Sequence, residues 1–263
     1  MSDQGFQQRT GIGHRMIDLR IENDTTAVGW LEDDFHHFGV TVVHDGAVVT
    51  AVRMAAPRTP WTACPGAAEP LKALIGKPLI TRASEIGALI EMRLQCTHVF
   101  DLTGLLLAHI AKRATRAPQR RYHTVIPDRP RHSADHVISS FGPGRAELFQ
   151  DGELVMYWDI DGEFITGPAP YGGHSQNAGF RAWTESMPEQ EAEYATILRR
   201  AILVAGGRTM NHDDYPSAGA MNTPPVCHAF QPQRRDLALR NMGNTWDYSD
   251  RPQDLLTNVH QIP

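Results

Sequence analysis

The sequence predicts an α+β fold, an antiparallel sheet built from Asp-Gly hairpins with segregated helices, and three observations predict it. Asp-Gly pairs recur at Asp45-Gly46, Asp151-Gly152 and Asp161-Gly162, each beside runs rich in β-branched or aromatic residues. The longer helical stretches form two blocks, about 83–114 and 188–206. No glycine-rich nucleotide fingerprint is present, because GIGHRM (residues 11–16) lacks a third glycine and follows no strand.

In chain order, HRMIDLRIE (14–22) alternates Met16, Ile17, Leu19 and Ile21 loosely enough for a strand. FHHFGVTVVHDGAVVTAVRM (35–54) follows, and its Asp45-Gly46 accepts the positive φ angles of a two-residue type I′ turn. Proline and glycine make PRTPWTACPGAAEP (57–70) a loop, ending near a short helix, AAEPLKALIG. The block from Ala83 to Ala114 reads as helix broken near Cys96. RAPQRRYHTVIPDRPRH (116–132), short and interrupted by three prolines, reads as a basic linker. AELFQDGELVMYWDIDGEFITGPAP (146–170) reads as a three-stranded meander. In PEQEAEYATILRRAILVAG, Pro188 suits a first helical turn, the acids suit its positive end, and Gly206 suits a stop. Two lobes sharing one core are expected, 1–116 and 117–263. Each half repeats strands followed by helix, but residue identity between them is poor.

At 41% hydrophobic and 21% charged residues the chain is ordinary for a globular protein. A net charge of -5 offers no surface for a phosphate backbone, so no nucleic-acid partner is expected. The longest apolar run, LTGLLLAHIA, has about half the length a membrane span requires. The start, MSDQGFQQRTGIGHR, lacks the apolar core of an export signal, so a cytoplasmic location is expected. Three cysteines, an odd number, argue against a disulfide framework.

Four segments carry residues able to do chemistry: LEDDFHH (31–37), PWTACPGA (60–67), QCTH (95–98) and PPVCHAFQP (224–232). All three cysteines occupy loop-like or element-terminal positions, whereas cysteines that serve as core fillers sit inside apolar runs. Thiolate and imidazole are ligands for zinc or ferrous iron, and a catalytic zinc takes about three protein ligands with a position left open. The expected divalent-metal site uses Cys64, Cys96 and His98, completed by His37 or Cys227. On an alternating strand one of the two adjacent histidines faces inward; His37 is assigned that place and His36 the solvent side. Asp34 and His36 are the candidate catalytic residues, Asp34 as general base or as the partner of a ligand.

Plainer readings stand beside these. Cys64 and Cys96 serve equally as core with His98 capping a helix, or one of them as a nucleophile activated by a histidine from another segment. NHDDYPSAG (211–219), with His212 and Asp213, is an ordinary Asp-rich loop by composition, and His174 lies on a glycine-rich loop. Trp61, Trp158 and Trp183 read as core, or, in a binding protein without catalysis, Trp61 and Trp158 as platforms for an aromatic ligand.

The combination of DDFHHFGVTVVHDG, PWTACPGA, QCTHVFDLTGLLLAH and CHAFQP resembles the bacterial family called domain of unknown function 2889. The resemblance extends over nearly the whole chain; PWTACPGA and QCTHVFDL are its most specific parts, and RYHTVIPDR and CHAFQP match a longer-chain subset. The family brings no established activity. It implies that Cys64, Cys96, His98 and a histidine of DDFHH belong to a shared pattern, and a catabolic setting involving aromatic or acyl compounds. NHDDYPSAGAMNTPP departs from the family. The resulting expectation is a metal-dependent hydrolase acting on a small, aromatic, carbonyl- or ester-bearing substrate, with lyase or hydratase chemistry as the alternative. Assembly into a homo-oligomer is compatible with this expectation.

Overall fold

The computed structural model describes residues 10–133, 138–221, 223–257 and 259. Residues 1–9, on which the reading of the N-terminal start rests, lie outside the described residues. Eight strands form one sheet: β1 (Ile12–Asn23), β2 (Thr26–Asp33), β3 (His37–His44), β4 (Val49–Arg58), β5 (Gln119–Pro127), β6 (Gly144–Gln150), β7 (Glu153–Asp161) and β8 (Phe164–Gly167). Their order is β4-β3-β2-β1-β5-β6-β7-β8, and the fold is α+β with an antiparallel sheet. Two long helices accompany it, α1 (Thr97–Ala111) and α2 (Glu189–Gly206). No helix among the described residues is long and apolar enough to cross a membrane.

The chain divides into two compact units that are not the contiguous lobes expected from sequence. One contains Ile17–Arg121, His212–Trp246 and the segment from Leu256; the other contains the segment ending at Met16, Tyr122–Asn211 and Asp247–Leu255.

In the first unit α1 packs on β2 and β3. Its sequence is apolar nearly all round, and Val99 through Ile110 are buried apart from Asp101, as expected of a helix enclosed by its neighbours. Two glycines allow the close approach. A Cβ at Gly29 of β2 would lie 3.1 Å from Leu102 Cδ1, and one at Gly104 of α1 would lie 2.6 Å from the Ala83 carbonyl oxygen. The strand β2 went unread in the sequence because Ala27 to Asp33 are all buried, so TAVGWLED shows no alternation. At Asp45-Gly46 the expected two-residue turn is instead a four-residue loop. The Asp45 carboxylate accepts the Ala47 and Val48 amides, each at 2.9 Å, and Gly46 alone of the pair takes positive φ.

In the second unit β6, β7 and β8 form the expected meander, and Asp151 and Gly152 both take positive φ between β6 and β7. The expected basic linker is corrected: Gln119–Pro127 is strand β5, paired with β6, with Tyr122, Thr124 and Ile126 buried. The prolines that suggested a break stand at its two ends, where a missing amide costs no ladder bond. Arg208 is buried against Asp128 and receives Ser249 and Asp247 as further partners.

Candidate metal centre

The candidate centre lies wholly in the first unit and begins at the turn joining β2 to β3. The Asp33 amide donates to the His36 carbonyl at 2.9 Å. The same aspartate's Oδ1 accepts the amides of Phe35 and His36 and the Nδ1 of His36, all at 2.9 Å. Aspartate favours such turns because its short side chain can take the amides two and three residues on. A carboxylate bound to Nδ1 makes that nitrogen the donor, so Nε2 of His36 carries the lone pair available to a ligand.

The second element is the start of α1. Cys96 is the N-cap in extended conformation, and His98 occupies the first turn. The His98 ring stacks on that of His36, with centroids 3.8 Å apart and planes inclined by 29°. Phe38 lies stacked beside both rings at 5.9 and 6.3 Å. Asp33, His36 and His98 each offer a ligand atom within 4.8 Å of the others, and among the described residues this is the one such group of three. Two imidazoles and a carboxylate suit zinc or iron.

The cysteines stand to one side of this group. Cys96 Sγ lies 3.9 Å from His98 Nδ1. Burial pushes the Cys96 thiol up to about 12, with Cys227 adding to the rise and the Val99 and His98 amides opposing it. Burial, and then the neighbouring Cys96 and Cys227, raise Cys64 well above the ordinary thiol range. The three segments bearing them meet: the His228 amide donates to the Gln95 carbonyl, and His228 Nδ1 lies 3.1 Å from the Leu94 carbonyl. A Cβ on Gly66, next but one to Cys64, would sit 3.1 Å from His228 Nε2. Cys64 and Cys96 are buried and Cys227 is half-buried.

Of the ligands expected from sequence, His98 is in the three-residue group; His37, Cys64, Cys96 and Cys227 are not. His36, expected on the solvent side, is the histidine that meets His98. His37 begins β3 and is buried with Nδ1 3.6 Å from Glu32 Oε1 and its ring edge-on to Trp30. Burial holds His37 below the ordinary imidazole range, against the pull of Glu32. Asp34 is buried and its carbonyl accepts from Arg58 and from the Trp246 amide, while Asp33 supplies the carboxylate of the centre. The sequence did not single out Asp33, because Asp33 and His36 have the same three-residue spacing as Asp34 and His37.

The remaining candidates have structural partners. His212 packs on Phe35 at 4.7 Å, and Asp213 pairs with Arg240 at 2.7 Å. Trp61 is buried against Phe230. In the second unit Trp158 is buried among Tyr171, Phe180 and Trp183, and His174 stacks on Trp183 at 4.0 Å.

Residues 12–112 match the family model described as Protein of unknown function (DUF2889). The match takes in DDFHH, PWTACPGA and QCTH, while RYHTVIPDR and CHAFQP fall outside it. No curated protein matches the chain.

Proposed function

We propose that this chain, whose residues 12–112 match the DUF2889 family model, is a metal-dependent enzyme with its divalent ion, zinc or iron, held by His36 and His98, with Asp33 orienting His36 through Nδ1. The observation that carries the reading is the convergence of those three side chains from a strand turn and a helix start. Such an ion would lower the pKa of bound water toward ~7 or polarise a carbonyl. The reaction class is therefore hydrolysis of a small carbonyl- or ester-bearing molecule, aromatic in the family's suggested setting. Lyase or hydratase chemistry draws on the same Lewis acid and is the alternative.

The thiol reading has one observation in its favour, the 3.9 Å approach of Cys96 to His98. Against it, a thiol raised to about 12 is protonated at neutral pH and a poor nucleophile. The non-catalytic binding reading is weakened because Trp61 and Trp158 are both buried.

Metal analysis of protein purified without a histidine tag tests the proposal. About one equivalent of zinc or iron is expected in the wild type, and a large loss in His98→Ala and His36→Ala. Less than about a tenth of an equivalent in the wild type, unchanged after reconstitution, would remove it.

A further inference from the structure

We infer that Arg58 is a positioning residue for the Asp33–His36–His98 centre: its guanidinium gathers the main-chain carbonyls of the turn that carries Asp33 and His36. The inference rests on the metal reading of that centre. Arg58 ends β4, directly opposite His37 in the β3–β4 ladder, and the register shifts between His37 and Gly39. An irregularity at such a place re-aims a side chain. Here it accompanies an arginine that turns, buried, into the β2–β3 connection.

Its contacts are concentrated on that connection. Nη1 donates to the Asp34 carbonyl at 2.7 Å and to the Asn244 carbonyl at 3.2 Å. Nη2 donates to the carbonyls of Asp33 and His36, the latter at 3.4 Å. The peptide planes of Asp33, Asp34 and His36 are thereby set by one rigid group. Inside the turn, Asp33 Oδ1 takes the amides of Phe35 and His36, so the turn is held from both of its polar faces.

The cation has its own support. Glu32 Oε1 accepts from Nη2 at 3.2 Å, and Glu32 Oε2 is occupied by the Leu256 amide at 2.8 Å. The guanidinium lies 4.4 Å over the Trp246 ring, whose own amide donates to the Asp34 carbonyl at 2.8 Å. Lysine cannot replace this arrangement, since an ammonium has neither the planar fork nor the stacking face. Groups that orient metal ligands without touching the ion commonly change affinity by about ten- to a hundredfold when lost.

The test compares Arg58→Lys with wild type, using cobalt(II) as the probe and reading its visible absorption. The His36 ring tautomer, read by long-range proton–nitrogen correlation in metal-free protein, gives a second measurement that needs no ion. Arg58→Lys is expected to bind cobalt about ten- to a hundredfold more weakly. It is also expected to show His36 as a mixture of tautomers in place of a fixed Nδ1–H form. Arg53→Lys, at an exposed position of the same strand, is expected to match wild type in both. Unchanged cobalt affinity, or an unchanged His36 tautomer, in folded Arg58→Lys overturns the inference. If that variant does not fold, Trp246→Leu, which removes the stacking face from a half-exposed position, is read in the same two ways. A wild type that binds no cobalt sinks the metal reading, and the tautomer comparison alone then judges Arg58.

Discussion

The imidazole of His98 lies over that of His36 at 3.8 Å between centroids, joining the first turn of a helix to a strand connection far earlier in the chain. Each ring offers a ligand atom within 4.8 Å of the other's. Asp33 fixes one ring of the pair through its Nδ1. Asp33→Asn keeps an oxygen acceptor but removes the charge. It is expected to fold and to bind metal at least about tenfold more weakly. Asp33→Ala removes the acceptor for the buried Phe35 amide and the part-buried His36 amide as well and should cost about 1–3 kcal/mol in urea unfolding. Equal metal affinity in Asp33→Asn and wild type would remove the aspartate from the centre.

His37 and His36 should behave oppositely despite being adjacent. His37 faces Glu32 and Trp30, so His37→Gln is expected to retain metal, whereas His36→Gln is expected to lose it. Metal content after dialysis decides. Loss in His37→Gln with retention in His36→Gln would return the site to the ligand set expected from sequence.

The buried thiols should be slow to react. Iodoacetamide at neutral pH is expected to leave Cys64 and Cys96 unmodified in the native protein and to label both once urea unfolds it, with peptide mapping as the readout. Rapid labelling of native Cys96 would restore the nucleophile reading.

Stability should fall on acidification. His14 Nδ1 and His123 Nε2 meet at 3.0 Å in the second unit. Burial, and then His14, lower His123 from 6.5 to about 4. Burial, and then Arg208, lower His14, with Ser249 and Asp247 opposing. In each case the unfolded chain takes up the proton first as pH drops. For His123 the native state is therefore undisturbed above about 6.5 and loses stability between there and about 4, by up to about 1.4 kcal/mol per pH unit, and the lowering of His14 acts in the same direction. His123→Gln is expected to make the slope shallower across that window. Chemical denaturation at several pH values measures it, and an unchanged slope contradicts the assignment.

Gly104 should resist enlargement. A methyl there meets the Ala83 carbonyl oxygen at 2.6 Å, and a backbone atom cannot rotate aside. Gly104→Ala is expected to cost about 1–3 kcal/mol, although alanine ordinarily favours a helix interior over glycine. A thermal midpoint equal to wild type, or above it, would show that helix and loop separate freely.

How much of this was legible in the sequence varied with how local the determinant was. Asp151-Gly152 and the long helix after Pro188 were readable, because turn chemistry and a 3.6-residue period act over a few residues. The strand β2 was not, since burial of consecutive residues erases alternation, and β5 was mistaken for a linker because its arginines and flanking prolines outweighed Tyr122, Thr124 and Ile126. At the candidate centre the sequence pointed to LEDDFHH and to QCTH with His98, which the fold brings together, but not to His36 over His37.

By itself the sequence determined the class of fold, the helix that begins after Cys96 and the four segments bearing donors, all set by propensities and caps that neighbouring residues impose. Only the tertiary structure decided that Asp33 and His36, rather than Asp34 and His37, face His98, and that the cysteines lie beside the group. Asp33 ends β2, His36 lies in the turn bonded to it and His37 begins β3, and which of these side chains meets the helix start depends on that turn and on the packing of α1 over β2 and β3. That packing is a long-range contact, and no short window of residues contains it.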